Sequence, residues 1–101
     1  MQFLVLAYDG TDQDAKARRS AVRPAHFAGI KPMVARGELR AAGAILDDAG
    51  DMIGSVVLAE FPGRAELDAW LAREPYVSEG VWQKIEIKPF RLAILDGKIT
   101  P

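Results

Sequence analysis

The opening segment FLVLAY, residues 3–8, constrains the fold most strongly, because it contains no charged residue. A β-strand turns alternate side chains to opposite faces, so a strand here is apolar on both faces. Strands of this kind are usually covered on both sides. The segment ends at the turn-forming pair Asp9-Gly10, and its two faces are Phe3, Val5 and Ala7 on one side and Leu4, Leu6 and Tyr8 on the other.

The rest of the chain predicts two helices and three more strands. Residues 11–38 carry apolar residues at helical spacing, and Pro24 predicts a loose turn followed by a main helix that starts near that proline. Residues 38–61 read as two strands joined by the turn sequence DDAGD, which lacks the ligand spacing of a calcium loop. A second helix follows over residues 62–75, and a last strand over residues 81–95.

The element order β-α-β-β-α-β predicts an α+β, ferredoxin-like fold, with an antiparallel sheet and two helices on one face. The helices cover one face only, and the chain has no spare element for the other. A second copy is the simplest cover, so we expect a homodimer. Residues 1–101 form a single domain, and we expect the tail 96–101 to be loose or docked on a neighbour.

The composition excludes several classes of protein. The absence of cysteine and the single histidine argue against disulfides, a cysteine nucleophile and a zinc site within one chain. The net charge is −1 with both signs interspersed, so neither nucleic acid nor an anionic membrane is an expected partner. No apolar segment has a signal-peptide or membrane-spanning length, and we expect a cytoplasmic protein without a cofactor.

His26 is the residue best suited to chemistry, because an imidazole titrates near neutral pH and can act as a general acid or base. The alternative is a histidine that packs at the edge of the core. Glu74 could orient the His26 ring, or it could be a solvated charge. Arg23 could bind an anionic substrate, and Arg19 would share its face if the helix continued back past Pro24. A solvated role is the simpler prediction for Arg19.

Further residues could be functional or merely structural. Asp9 and Tyr76 could bind a substrate, although a turn role is the simpler prediction for Asp9, and Tyr76 could simply pack in the core. Ser55 has no base beside it in the sequence pattern, so we do not nominate it as a nucleophile. Trp70 and Trp82 are expected in the core or in a dimer interface.

Five short motifs together resemble the YciI-like (YCII-related) family over nearly the whole chain. The opening strand ends in an acidic turn, and Arg-Pro-Ala-His follows at residues 23–26. A GEL..AG strand entry, a Gly-Ser pair and an acid-Pro-aromatic turn with a later glycine come next, at residues 37–43, 54–55 and 74–80. The order and spacing of these motifs carry the resemblance.

The resemblance implies a dimeric α/β barrel and a His-Asp pair in a pocket. The family histidine corresponds to His26, and the family aspartate corresponds to position 74, where this chain has glutamate. At least one relative removes chloride from a chlorinated hydroxyhydroquinone without a cofactor. We therefore expect a cofactor-free enzyme that performs an elimination or isomerisation on a small molecule. The alternatives are a dimer that binds or senses a small molecule, and an interaction domain without a ligand.

Overall fold

A four-stranded antiparallel sheet, covered by helices on one face, forms the body of the molecule. The computed structural model describes residues 1–100, and the strand order in the sheet is β2-β3-β1-β4. The ferredoxin-like α+β fold is thereby confirmed. The elements are β1 (Gln2–Asp9), α1 (Ala15–Ala35), β2 (Leu39–Leu46), β3 (Met52–Glu60), α2 (Arg64–Arg73), α3 (Pro75–Ser78), β4 (Trp82–Phe90), β5 (Ile94–Leu95) and β6 (Lys98–Ile99).

The hydrophobic core lies between the sheet and the helices. In the middle of the sheet Val5 pairs with Val57 on one side and with Ile87 on the other. The helices add side chains from two positions of α1 and two of α2, which cover the helix-facing sides of β1 and β3, whereas β2 contributes only Leu39 to the core. These helix residues are Ile30, Met33, Leu67 and Trp70.

The opposite face of the sheet carries an apolar stripe along its two central strands. Leu4 pairs with Leu58, and Leu6 pairs with Val56, so these four side chains lie on one surface. The helices pack on the other side of the sheet, and Leu4, Leu6 and Val56 are partly exposed, whereas Leu58 is buried. The edge strand β4 borders the stripe with charged residues at alternate positions, namely Lys84, Glu86 and Lys88. The prediction that both faces of β1 are apolar is therefore confirmed.

Helix α1 is longer than the sequence predicts, because it continues through Pro24 from Ala15 to Ala35. A proline inside a helix removes one hydrogen bond and costs about 3 kcal/mol. Arg19 and His26, on either side of Pro24, are both buried. The contacts that these two side chains make with other elements offset the cost of the proline. The expectation of a helix start near Pro24 was wrong. Gly37, with φ of +78°, ends this helix region as predicted.

A β-bulge in β4 changes which side chains face the helices. Tyr8 pairs with Lys84 and Asp9 pairs with Trp82, so Gln83 is an extra residue in β4. Strict alternation from Lys84 would turn Trp82 to the open face. The extra residue brings it to the helix side instead, next to Asp9.

The C-terminal segment differs in part from its prediction. The last strand of the sheet ends at Phe90, and β5 and β6 form a small hairpin around Asp96-Gly97, both with positive φ. Residues 96–100 are therefore structured, while Pro101 lies outside the described residues. Ile99 is 86% exposed, and docking of this hairpin on a neighbour stays a prediction. Within residues 1–100, no helix has the length and apolarity needed to cross a bilayer.

Candidate active site

His26 and Glu74 form a buried pair between α1 and the start of α3. Nδ1 of His26 lies 2.6 Å from Oε1 of Glu74, and the two side chains are 11% and 1% exposed. The same carboxylate oxygen also accepts the backbone N–H of Tyr76 at 3.1 Å. Because two donors converge on one oxygen, we assign the proton to Nδ1 of His26 and an ionised state to Glu74. Nε2 is then the ring atom with a free lone pair.

The short sequence Glu74-Pro75-Tyr76 explains how the carboxylate is positioned. Glu74 has an extended backbone and caps α3, and Pro75 occupies the first position of that helix. Proline suits this position because its missing N–H would have no partner there. Glutamate has one methylene more than the aspartate usual at caps. Its side chain reaches His26 while Oε1 still accepts the N–H of Tyr76.

Aromatic rings hold the His26 imidazole in place. The ring of Tyr76 stacks on it with centroids 4.0 Å apart and planes at 13°, and the Trp82 ring lies nearly perpendicular to it with centroids 5.9 Å apart. Burial raises the pKa of the Tyr76 hydroxyl above its ordinary value of 10.0, against the opposing effect of the Arg19 and Arg23 guanidinium groups. The Tyr76 hydroxyl therefore stays protonated, and acts as a donor, throughout the neutral range.

Arg19 is a second buried charged group next to this pair. Its Nη1 donates to both carboxylate oxygens of Asp9 at 3.0 Å, and its Nη2 donates to Oγ of Ser55 at 3.0 Å. Nε1 of Trp82 donates to the same Oγ at 3.2 Å. The guanidinium also lies 5.1 Å from the centroid of the Tyr76 ring. The expectation of a solvated Arg19 was wrong, because the residue is only 8% exposed.

A cavity of about 260 Å³ opens beside these groups. Its polar lining comes from His26, Tyr76, Ser55, Arg19 and Arg23, and the remainder is mostly apolar. Within residues 1–100 no protein group hydrogen-bonds Nε2 of His26, so this nitrogen is free for a ligand. The apolar and aromatic lining consists of Phe27, Ile30, Ala42, Ala44, Met52, Val57 and Trp82.

Two of the predicted binding residues differ in their relation to this cavity. Arg23 lies at the mouth, exposed, with its guanidinium 4.8 Å from the Phe27 ring centroid. It forms no ion pair within residues 1–100, so it is an available cation. Asp9 does not line the cavity, and both of its carboxylate oxygens accept from Arg19. Direct contact of Asp9 with a substrate stays a prediction, whereas its ion pair with Arg19 is present.

Comparison with known proteins decides the family. The model of the YCII-related domain matches residues 1–91 of the chain. The chain belongs to the YCII-related family. Protein YciI of Escherichia coli O6:H1 is 35% identical over 97 residues, which cover 90% of this YCII-related chain and 97% of YciI. An uncharacterised protein of Haemophilus influenzae is 32% identical with the same coverage.

A solved structure has the same fold as this YCII-related protein. It is the 5-chloro-2-hydroxyhydroquinone dehydrochlorinase of Burkholderia phenoliruptrix in complex with 2,5-dihydroxybenzoquinone. The TM-score is 0.78 at 21% sequence identity, and the match covers 90% of this chain and 94% of the dehydrochlorinase. At this level of identity the likeness establishes the shared fold.

A larger depression of the YCII-related chain lies elsewhere and offers no comparable chemistry. It measures about 1000 Å³ and lies between the two chain ends, around Met1, Phe90 and Thr100. The Arg40 and Glu60 side chains in this depression form an ion pair at 3.2 Å that is accessible to solvent. Exposed ion pairs contribute little to stability. The smaller His26 cavity is the candidate site because its acid-base groups are buried and held in fixed positions.

Sequence reasoning missed the cluster of Arg19, Ser55 and Trp82. Each of these residues is ordinary in its own segment, and a buried arginine has the same letter as a surface one. The only sequence signal was the seven-residue spacing from Arg19 to His26, which places both on one helix face. The spacing did not indicate a shared face, because the main helix was expected to begin near Pro24 and Arg19 would then precede it.

Proposed function

We propose that this protein is a cofactor-free enzyme in which His26 transfers a proton on a small, oxygen-bearing ring compound. The observation that carries the proposal is the 2.6 Å contact from Nδ1 of His26 to Oε1 of Glu74, beside a cavity that His26 lines. When Nδ1 donates to a carboxylate, Nε2 faces the cavity as a lone pair in the neutral ring and as an N–H in the imidazolium. Histidine so oriented is the usual arrangement of a general acid or base.

The reaction that fits these groups is an elimination. Nε2 of His26 removes a proton from the substrate, the electron pair so released expels a leaving anion, and the bonding electrons depart with that anion. The imidazolium that forms is stabilised by the adjacent Glu74 carboxylate until it returns the proton to water or to the product. No oxidant or reductant is required, because the substrate loses only the elements of an acid. Returning the proton to a second position would make the same step an isomerisation.

The size and charge of the cavity favour a single substituted ring. A cavity of ~150 Å³ admits benzene, so about 260 Å³ accommodates one ring with several substituents. Arg19 is neutralised by Asp9, whereas Arg23 at the mouth has no carboxylate partner within residues 1–100. A phenolate or a carboxylate on the ring would complement that charge. The Tyr76 hydroxyl adds a neutral donor for a ring oxygen.

The dehydrochlorinase of similar fold supports this reaction class. Its substrate, as its name states, is a chlorinated hydroxylated ring, and its bound ligand is 2,5-dihydroxybenzoquinone. Both compounds are single rings with several oxygens, which is the class inferred above from the size and charge of the cavity. Chlorinated hydroxyhydroquinones are therefore the first substrates to try.

We further propose that the working form is a homodimer of a cytoplasmic protein. Leu4, Leu6 and Val56 remain partly exposed around the buried Leu58, so the open face of the sheet is apolar at its centre, and exposed apolar patches mark contact surfaces. The flanking row of Lys84, Glu86 and Lys88 carries both signs of charge, so a second copy can pair with it. Sheet-to-sheet contact would complete the dimeric α/β barrel.

Chloride release from 5-chloro-2-hydroxyhydroquinone, measured with an ion-selective electrode, tests the enzymatic proposal. The wild type should release chloride, and His26→Gln should reduce the rate about 10²-fold or more, because general acid-base catalysis contributes on that order. Glu79→Gln is the matched control, since Glu79 is exposed and forms no ion pair within residues 1–100. Tight binding of the compound by the wild type with no chloride released would favour a binding or sensing dimer instead.

A further inference from the structure

Ser55 occupies an unusually confined place on the helix side of the sheet. It lies in β3 between Ala7 of β1 and Ala44 of β2, and only small side chains flank it in the ladder. Ser55 is 6% exposed, and it lines the same cavity as His26. The neighbouring Gly54 permits this close packing, because a Cβ there would lie 2.5 Å from the carbonyl oxygen of Ala7.

The hydrogen bonds to Ser55 fix what its hydroxyl can still do. Oγ accepts from Nη2 of Arg19 at 3.0 Å and from Nε1 of Trp82 at 3.2 Å. A guanidinium and an indole N–H can donate but cannot accept. A serine hydroxyl has two acceptor lone pairs and one hydrogen, so both lone pairs are used and the hydrogen is not. The Ser55 hydroxyl is therefore restricted to donating.

The unused hydrogen has no acceptor among the residues that the structure describes. Among residues 1–100, no carbonyl or carboxylate oxygen accepts a hydrogen bond from Ser55, since Oγ engages only Arg19 and Trp82. Those two groups occupy the lone-pair directions, so the O–H bond is directed away from them. The space that remains beside Oγ is the cavity.

We propose that Ser55 is a preset hydrogen-bond donor that determines specificity for a ligand oxygen in the His26 cavity. The partner is an acceptor on the ring compound: a carbonyl, a phenolate or a carboxylate oxygen. Donation from the cationic Arg19 into Oγ polarises the hydroxyl and strengthens its own donation. This inference rests on the proposed function for the identity of the ligand, but the direction of the O–H bond does not depend on it.

The same geometry excludes two other roles for Ser55. A nucleophilic serine needs a base that hydrogen-bonds its hydroxyl, and neither Arg19 nor Trp82 can remove a proton. A ligand that offers an N–H or ammonium group at this position would meet an oxygen whose lone pairs are both engaged. The site therefore selects acceptors over donors, so ring oxygens are favoured over ring amines.

Neutron diffraction from crystals exchanged into D₂O tests the orientation without any ligand. We expect the Ser55 O–D bond to point into the cavity, with the N–D groups of Arg19 and Trp82 directed at Oγ. An O–D bond directed at a protein acceptor would overturn the inference, as would an Arg19 or Trp82 group turned away from Oγ. This result decides the Ser55 inference even if the chain has no enzymatic activity.

Calorimetric binding of 2,5-dihydroxybenzoquinone tests the function of the donor. Ser55→Ala should raise the Kd about tenfold, because one hydrogen bond from a polarised donor is lost. Ser55→Thr keeps a hydroxyl and should restore most of the affinity if the strand accommodates the extra methyl group. Ser78→Ala, at an exposed position in α3, is the matched control and should leave the Kd unchanged.

The outcomes separate this inference from the proposed function. Unchanged affinity in a folded Ser55→Ala variant, with binding lost in His26→Gln, would overturn the Ser55 inference and leave the role of His26 intact. If Ser55→Ala melts far below the wild type, the Ser55→Thr variant and the neutron result decide instead. Failure of the wild type to bind the quinone would overturn the inferred ligand class, whereas the O–D direction would still decide the role of Ser55.

Discussion

One carboxylate oxygen of Glu74 serves two donors at once: Nδ1 of His26 at 2.6 Å and the backbone N–H of Tyr76 at 3.1 Å. The first contact fixes the orientation of the imidazole and the tautomer of its neutral form, and the second caps the short helix α3 that carries the Tyr76 ring. That ring in turn stacks on His26 at 4.0 Å. Each of the three residues therefore contacts the other two, so a substitution at one of them is expected to disturb the positions of the others.

Removing the Glu74 carboxylate should destabilise the fold as well as the site. Glu74→Ala leaves two buried donors without an acceptor, and we expect the free energy of unfolding to fall by about 2–4 kcal/mol. Urea denaturation measures it. Glu79→Ala, at an exposed position five residues later, should change it by less than about 0.5 kcal/mol. Equal effects of the two substitutions would contradict the geometry described here.

The buried Arg19–Asp9 pair should be far more important to stability than a surface pair. Its side chains are 9% and 4% exposed, so Asp9→Asn leaves a buried cation uncompensated and should cost about 3 kcal/mol or more. Asp68→Asn is the matched control, because the Arg64–Asp68 side chains are both 57% exposed, and such pairs contribute less than about 1 kcal/mol. Thermal unfolding of both variants gives the comparison, and a small loss in Asp9→Asn would show that Arg19 is solvated.

Tyr76 should make the protein sensitive to alkaline pH. Burial raises the pKa of its hydroxyl above 10.0 in the folded state, so the unfolded chain releases this proton first. The stabilising effect is complete below the unfolded pKa of about 10 and is lost as the pH rises through the folded pKa. The difference in unfolding free energy between wild type and Tyr76→Phe should therefore be constant up to about pH 9 and then decline. A difference that stays constant to pH 11 would show that the hydroxyl is not desolvated.

Pairing of the open sheet faces should be broken by a charge at its centre. Leu6→Glu places a carboxylate in the apolar stripe, and sedimentation at micromolar concentration should change from dimer to monomer. Val34→Glu is the control, because Val34 is 54% exposed on α1, away from the sheet. A monomeric wild type would overturn the proposed dimer, and a Leu6→Glu variant that stays dimeric would place the contact elsewhere.

The fold was largely predictable, because its signals are local. The apolar run of β1, the DDAGD turn between β2 and β3, and the helical spacing around Trp70 each predict the structure of their own segment. The error at Pro24 has a physical reason: burial of Arg19 and His26 overrides a local propensity, and both contacts reach other elements. The hairpin of β5 and β6 was missed because each strand has only two residues.

The sequence nominated the central pair of the candidate site and two residues that line its cavity, Arg23 and Tyr76. His26 and Glu74 were nominated because the motifs around them resemble a family, and the structure brings the two side chains together. Their catalytic role stays a prediction. The Arg19–Ser55–Trp82 cluster depends on strand register and on the extra residue Gln83, which turns Trp82 inward. Register is set by pairing over long sequence separations, and no local pattern reveals it.

The most direct measurement uses the single imidazole of the chain. A long-range ¹H–¹⁵N spectrum of uniformly labelled protein assigns both ring nitrogens of His26 without ambiguity. Our account predicts that the neutral ring carries its proton on Nδ1, and that 2,5-dihydroxybenzoquinone shifts the Nε2 signal in the wild type and in Glu79→Gln alike. A neutral ring protonated on Nε2, or an Nε2 signal that saturating quinone leaves unchanged, would contradict the claim that Nε2 of His26 contacts the ligand and transfers the proton.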